Sequence, residues 1–155
     1  MLLHESISQE NIEKLLTALA NKNCELRICE NTKSKIAKVK PATQEDWDTE
    51  YLDNILSLKT VKNIDEAISH IQKHGSHHTE AILSNNKENI QTFMNQVDAS
   101  SIMINASTRF NDGGEYGLGA ELGISTTKLH AYGPMGAKEM TTTRFIVEGQ
   151  GHIRS

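Results

Sequence analysis

One apolar spacing recurs three times along this 155-residue chain, and short runs rich in aliphatic residues lie between the repeats. Ile12, Leu15, Leu16 and Leu19 form the first set, Ile64, Ala67, Ile68 and Ile71 the second, and Ile90, Phe93, Met94 and Val97 the third. Spacing of i, i+3, i+4 and i+7 puts each set on one helix face, so three amphipathic helices with one buried stripe apiece are expected. Start signals agree: Ser8 precedes the first helix, Asn63 with Glu66 makes a capping-box-like pair before the second, and Asn85 or Asn86 precedes the third. Residues 25–29, 54–61, 81–83 and 101–104 read as strands. Alternation of strand and helix predicts βαβ units with right-handed crossovers, hence an α/β fold with a mostly parallel sheet and helices on both faces. Ligands of such sheets sit beyond the carboxyl ends of the strands, where the loop from Asn105 is expected to begin.

The length suits one main domain, over residues 1–127, followed by an extended arm over residues 128–155. The arm opens on Gly133-Pro134 and Gly136, passes three threonines at 141–143, and ends on a strand-like Arg144-Phe145-Ile146-Val147. That strand needs a sheet, either another subunit's or its own domain's. With 37% hydrophobic and 5% aromatic residues, the core is thin enough to need a partner for part of its apolar surface. No apolar run is long enough for a membrane span and the first residues do not read as a signal sequence, so a cytoplasmic protein is expected. A net charge of −4, without a basic stripe, argues against nucleic acid as the main ligand. Cys24 and Cys29 give neither a disulfide framework nor a zinc pattern, and a reduced, structural role is expected for both.

Two segments carry chemistry. Asn105, Ser107, Thr108 and Arg109 are followed by Gly113, Gly114, Gly117, Gly119 and Gly123. Hydroxyls, a planar guanidinium and glycines that let backbone N–H groups approach closely suit an anion. The glycine spacing does not match a dinucleotide fingerprint. Upstream, His70, His74, His77 and His78 put four histidines within nine residues. Because no well-spaced carboxylate or thiolate completes a tetrahedral set, solvated histidines at a helix end, stopped by Gly75, are preferred over a metal site.

The order Val61, Ala67-Ile68, His70-Ile71, His74-Gly75-Ser76, His78-Thr79-Glu80, Ile82 resembles the γ-glutamyl phosphate reductases, the glutamate-5-semialdehyde dehydrogenases of proline biosynthesis. Leu2-Leu3-His4-Glu5, the run from Trp47 through Glu50 to Asp53, the 105–126 loop and the 142–154 tail extend the resemblance over essentially the whole chain, as a carboxyl-terminal portion. Tyr132 and Ala137 depart from it, standing where arginine and leucine are usual.

The resemblance implies an aldehyde-dehydrogenase-like catalytic domain, lacking the nucleophile segment, and an oligomerisation arm. It implies NADPH-dependent reduction of L-glutamate 5-phosphate to the semialdehyde and phosphate through a cysteine thioester. The family cysteine falls upstream of Met1, so no catalytic residue is expected in this chain and no turnover from it alone. By the same resemblance Glu50 would take the nicotinamide ribose, and Ser107, Thr108 and Arg109 would anchor the substrate in a loop shaped by Asn105. Gly117, Gly119 and Glu121 would form a turn beside the substrate tunnel, with His78 and Thr79 bordering the site. Expected partners are the glutamyl phosphate and either further copies of the chain or the remaining amino-terminal portion. The alternatives are a non-catalytic assembly module that retains the fold and a histidine-rich metal-binding α/β protein.

Overall fold

The computed structural model describes residues 1–32 and 39–154. In chain order these form β1 (Leu2–His4), α1 (Gln9–Ala20), β2 (Glu25–Ile28), β3 (Val39–Pro41), β4 (Ile55–Val61), α2 (Ile64–His74), β5 (Thr79–Ile82), α3 (Lys87–Gln96), β6 (Ser101–Ile104), β7 (Gly123–Ser125) and β8 (Gly133–Met135). Short 3-10 turns occupy Glu45–Trp47 and Thr108–Phe110.

Each helix begins where a side-chain oxygen takes up an orphan amide. Ser8 accepts from Asn11, Asn63 from Glu66 and Asn86 from Asn89, so the third start falls on Asn86. Glu66 also reaches back to accept from the Lys62 N–H at 2.9 Å. α2 ends at Gly75, where the backbone turns extended, and a Cβ there would stand 2.6 Å from the Ile71 carbonyl oxygen, so a side chain does not fit.

The expected strands form, and their pairing is parallel, but in two arrays rather than one. A four-stranded sheet has the order β1-β4-β2-β3, and among the described residues β5 pairs only with β6. β7 and β8 make a separate antiparallel pair, which a three-residue strand length and a nearby turn permit without a crossover. The short β1, β3, β7 and β8 lack the apolar alternation that marks a strand in sequence.

Two clusters fill the interior. Leu16 of α1 packs on Leu3, Leu26 and Leu58 against one face of the larger sheet. Side chains alternate along β4, so Lys59 points to the other face, where its ammonium lies 3.4 Å from His70 of α2. Helices therefore cover both faces. α2 then buries Ile68 with Phe93 and Val97, against Ile82 of β5 and Ile102 of β6, and so lies between the two sheets.

Three expectations are corrected. Met94, placed in the buried stripe, is 44% exposed, because Phe93 and Val97 take the inner positions. Leu83, read as a strand residue, lies past the end of β5 and is 82% exposed. Residues 144–147 form no ladder within the described chain, and with Phe145 93% and Val147 91% exposed, the segment does not fold back on its own domain. Ser155, the last residue of the expected arm, lies outside the described residues.

Candidate functional site

The 105–111 loop is pinned at both ends. Asn105 takes a left-handed φ of 53°, which asparagine tolerates better than most residues, and turns the main chain out of β6. Its carboxamide stands in for the peptide group that the turn removes. Oδ1 accepts the Ser84 N–H at 2.8 Å and Nδ2 donates to the Ser84 carbonyl at 2.9 Å, adding one rung to the β5–β6 ladder. Ser107 then caps the 3-10 turn by accepting the Arg109 N–H at 3.2 Å.

At the far end Asn111 donates from Nδ2 to Thr79 Oγ1 at 2.7 Å and accepts from Ser101 Oγ at 2.9 Å. Tyr116 donates its hydroxyl to Ser101 Oγ at 3.2 Å, and Thr79 Oγ1 lies 2.6 Å from His78 Nδ1. Thr79 and Ser101 are register partners at the amino ends of β5 and β6. The loop thus begins at the carboxyl edge of this sheet and is tied down at the amino edge. The departure from the carboxyl edge is as expected, and the hydrogen bonds of Asn111 bring the loop back to the amino edge. Through Asn111 the loop is joined to Thr79, and through Thr79 to His78.

Between the pins, Ser107, Thr108 and Arg109 are exposed. Among the described residues Arg109 has no ion-pair partner, so its donors face outward. Gly117 and Gly119 have φ of 74° and 80° with open space around them, and their role is the turn itself. Glu121 closes that turn by accepting the Gly113 N–H at 2.8 Å, a loop-closing bond rather than a ligand-facing position.

Glu50 is on the segment that enters β4 from its amino end. Its carboxylate is exposed and takes no hydrogen bond among the described residues. The surrounding segment is rigid because of Asp46, which sequence reasoning missed. Buried Asp46 accepts from the Thr43 N–H (2.6 Å) and hydroxyl (3.0 Å), from the Tyr51 hydroxyl (2.6 Å) and from Arg27 Nη1 (2.7 Å). The Thr43 amide, Tyr51 and Arg27 hold its carboxyl well below the usual carboxylate range, despite burial. Arg27 also stacks 4.9 Å over the Tyr51 ring.

Of the four histidines expected to be solvated at the helix end, His77 is exposed, and His70, His74 and His78 are partly buried. His74 has a side chain only 10% exposed, 2.6 Å from Asp48 Oδ1. His70 meets Trp47 edge-on at 5.4 Å between ring centroids. Burial, then Lys59 and His74, push its pKa down to about 4. His77 Nδ1 lies 2.7 Å from the Asp98 carbonyl oxygen. Four separate partners hold the four rings, and among the described residues no three His, Cys, Asp or Glu side chains could hold a metal ion. Both cysteines are unbridged. Cys29 Sγ lies 3.1 Å from Thr32 Oγ1 and accepts the Thr60 N–H at 3.4 Å. Among the described residues, no helix is long and apolar enough to cross a membrane.

No protein-family model matches the chain. Individual proteins do. The chain is 53% identical over 154 residues, 99% of its length, to the γ-glutamyl phosphate reductase of Clostridium botulinum (strain Eklund 17B / Type B). It is 47% identical over 154 residues to that of Thermotoga maritima. It spans 37% of the length of each of these curated relatives. The crystal structure of the Thermotoga reductase superposes with a TM-score of 0.90, covering 99% of this chain and 37% of that one. The Saccharomyces cerevisiae γ-glutamyl phosphate reductase superposes with a TM-score of 0.52 at 30% identity, over 73% of this chain and 29% of that one.

Proposed function

We propose, on the premise that this chain belongs to the γ-glutamyl phosphate reductase family over the 37% of those proteins that it spans, that it carries the substrate-anchoring part of a cytoplasmic proline-biosynthesis reductase. The reaction is the reduction of L-glutamate 5-phosphate to L-glutamate 5-semialdehyde and phosphate. Residues 1–127 then belong to an aldehyde-dehydrogenase-like catalytic domain, and residues 128–155 to an arm that joins subunits.

The observation that carries this reading is the doubly pinned 105–111 loop, which presents Arg109 with no counter-ion among the described residues. A guanidinium fork held beside the Thr108 and Ser107 hydroxyls suits the acidic oxygens of an acyl phosphate or a glutamyl carboxylate. Ser107 still has its own proton to donate while its oxygen caps the turn. Glu50 offers a carboxylate without a partner among the described residues, on a segment that Asp46 ties down, which fits the ribose hydroxyls of NADPH. That cofactor, when bound, supplies the hydride. The thiol that attacks the acyl phosphate matches neither Cys24 nor Cys29, so the polypeptide alone is expected to have no turnover.

The test places this segment in a full-length family reductase and changes Arg109→Ala. Loss of a charge-assisted pair of about 1.5–3 kcal/mol raises KM for the acyl phosphate roughly ten- to a hundredfold. An unchanged KM removes Arg109 from the site. A second reading, an assembly module that keeps the fold without catalysis, draws on the exposed Phe145, Ile146 and Val147 of the arm.

A further inference from the structure

Hydrogen-bond direction along the Tyr116–Ser101–Asn111–Thr79 series has a consequence for His78. The series has one fixed member, because an amide nitrogen only donates and an amide oxygen only accepts. Asn111 gives its Nδ2 proton to Thr79 Oγ1 and takes the Ser101 proton on Oδ1. Tyr116 in turn gives its proton to Ser101. Thr79 already accepts from Asn111, and a hydroxyl has one proton of its own. The atom it faces at 2.6 Å is His78 Nδ1, the one acceptor for that proton among its hydrogen-bond contacts in the described residues. Both oxygens of the series that could reverse, Ser101 and Thr79, sit at the buried or half-buried amino ends of β6 and β5. The His78 carbonyl is held as well, by the Ser101 N–H at 3.2 Å and by the Ser100 hydroxyl.

We infer that this series is a tautomer lock: it sets the proton of the neutral His78 ring on Nε2, and so builds into the site an oriented N–H donor for an anionic oxygen of the ligand. Among the described residues Nε2 has no hydrogen-bond partner, and the ring is half-buried beside the loop that carries Arg109. Asn111, Thr79 and Ser101 are positioning residues, and His78 is the group that would touch the ligand. The ligand half of the inference rests on the anchoring role proposed above for that loop; the tautomer half does not.

The test uses the 155-residue chain labelled with nitrogen-15. Long-range proton–nitrogen correlation of the His78 ring distinguishes the two neutral tautomers directly. The wild-type ring is expected as Nε2–H alone. Thr79→Val removes the proton donor to Nδ1 and should give a mixture. Asn111→Asp, close to isosteric, accepts from Thr79 instead of donating to it; the Thr79 lone pair then faces the ring, and His78 should switch to Nδ1–H. A wild-type ring that is Nδ1–H or already mixed overturns the lock, as does an Asn111→Asp ring that stays Nε2–H. Titration with inorganic phosphate separates the two readings. Perturbation of both Arg109 Nε and His78 Nε2–H supports the donor role, and perturbation of Arg109 alone overturns it. No perturbation at Arg109 counts against the anchoring loop while leaving the tautomer result standing.

Discussion

Asp46 concentrates more polar bonding than any single side chain in the candidate loop, and it does so from a buried position beside Trp47. Removing it leaves Arg27, Tyr51 and the Thr43 amide without their common acceptor. Asp46→Ala is therefore expected to destabilise the chain by about 3 kcal/mol, a cost typical of breaking a buried charged network. Thermal unfolding followed by circular dichroism should show a fall in Tm of about 6–12 °C; a change within error would mean that water replaces the carboxylate. Such a network is hard to see in a sequence. Arg27 and Asp46 are 19 residues apart, and Asp46 and Tyr51 five, with no periodicity linking them. The parallel pairing of β2 with both β3 and β4, the strands that flank the Asp46 segment in sequence, brings them together. Asn111 was hidden for a similar reason, since one asparagine in a polar loop has no spacing signature. Asn105, Ser107 and Arg109 were legible because hydroxyl, guanidinium and glycine occur together.

At the scale of elements, α2 docks through histidines as well as through its apolar stripe. His70 is neutral in the folded chain down to about pH 4, against an ordinary value of 6.5. Between those values the unfolded chain binds the additional proton, so folding stability falls as pH drops from about 6.5 to about 4 and this contribution is flat below that. Tm measured over this window should decline in the wild type and decline less in His70→Gln; parallel curves would show that the ring is not responsible. Asp46, also depressed, acts in a separate window, losing its contribution only as pH falls below the ordinary carboxylate range. The three helices were readable because spacing and caps agree, with Ser8, Asn63 and Asn86 each at a start. Their histidine face was not. Periodicity records where apolar residues go, and a ring packed edge-on against Trp47 looks the same in sequence as one facing water.

For the molecule as a whole, the arm leaves Phe145, Ile146, Val147 and Ile153 in the open. A chain with this much unpaired apolar backbone is expected to self-associate or to join a full-length family member through added strand pairing. Light scattering after size exclusion should detect an oligomer, or co-elution with the full-length protein, and the double change Phe145→Asp, Val147→Asp should abolish both. A wild type that stays monomeric and elutes alone removes the arm from assembly. The two parallel ladders raise a different matter. Among the described residues they share no rung, and one eleven-residue cylinder, α2, joins them, with its apolar flank on the smaller sheet and its His70 flank against Lys59 of the larger. Amide protection travels along rungs far more readily than through such a flank. In deuterium oxide the buried amides should then empty in two waves, one for β2 and β4 and another for β5 and β6, as though two small proteins were wearing a single sequence.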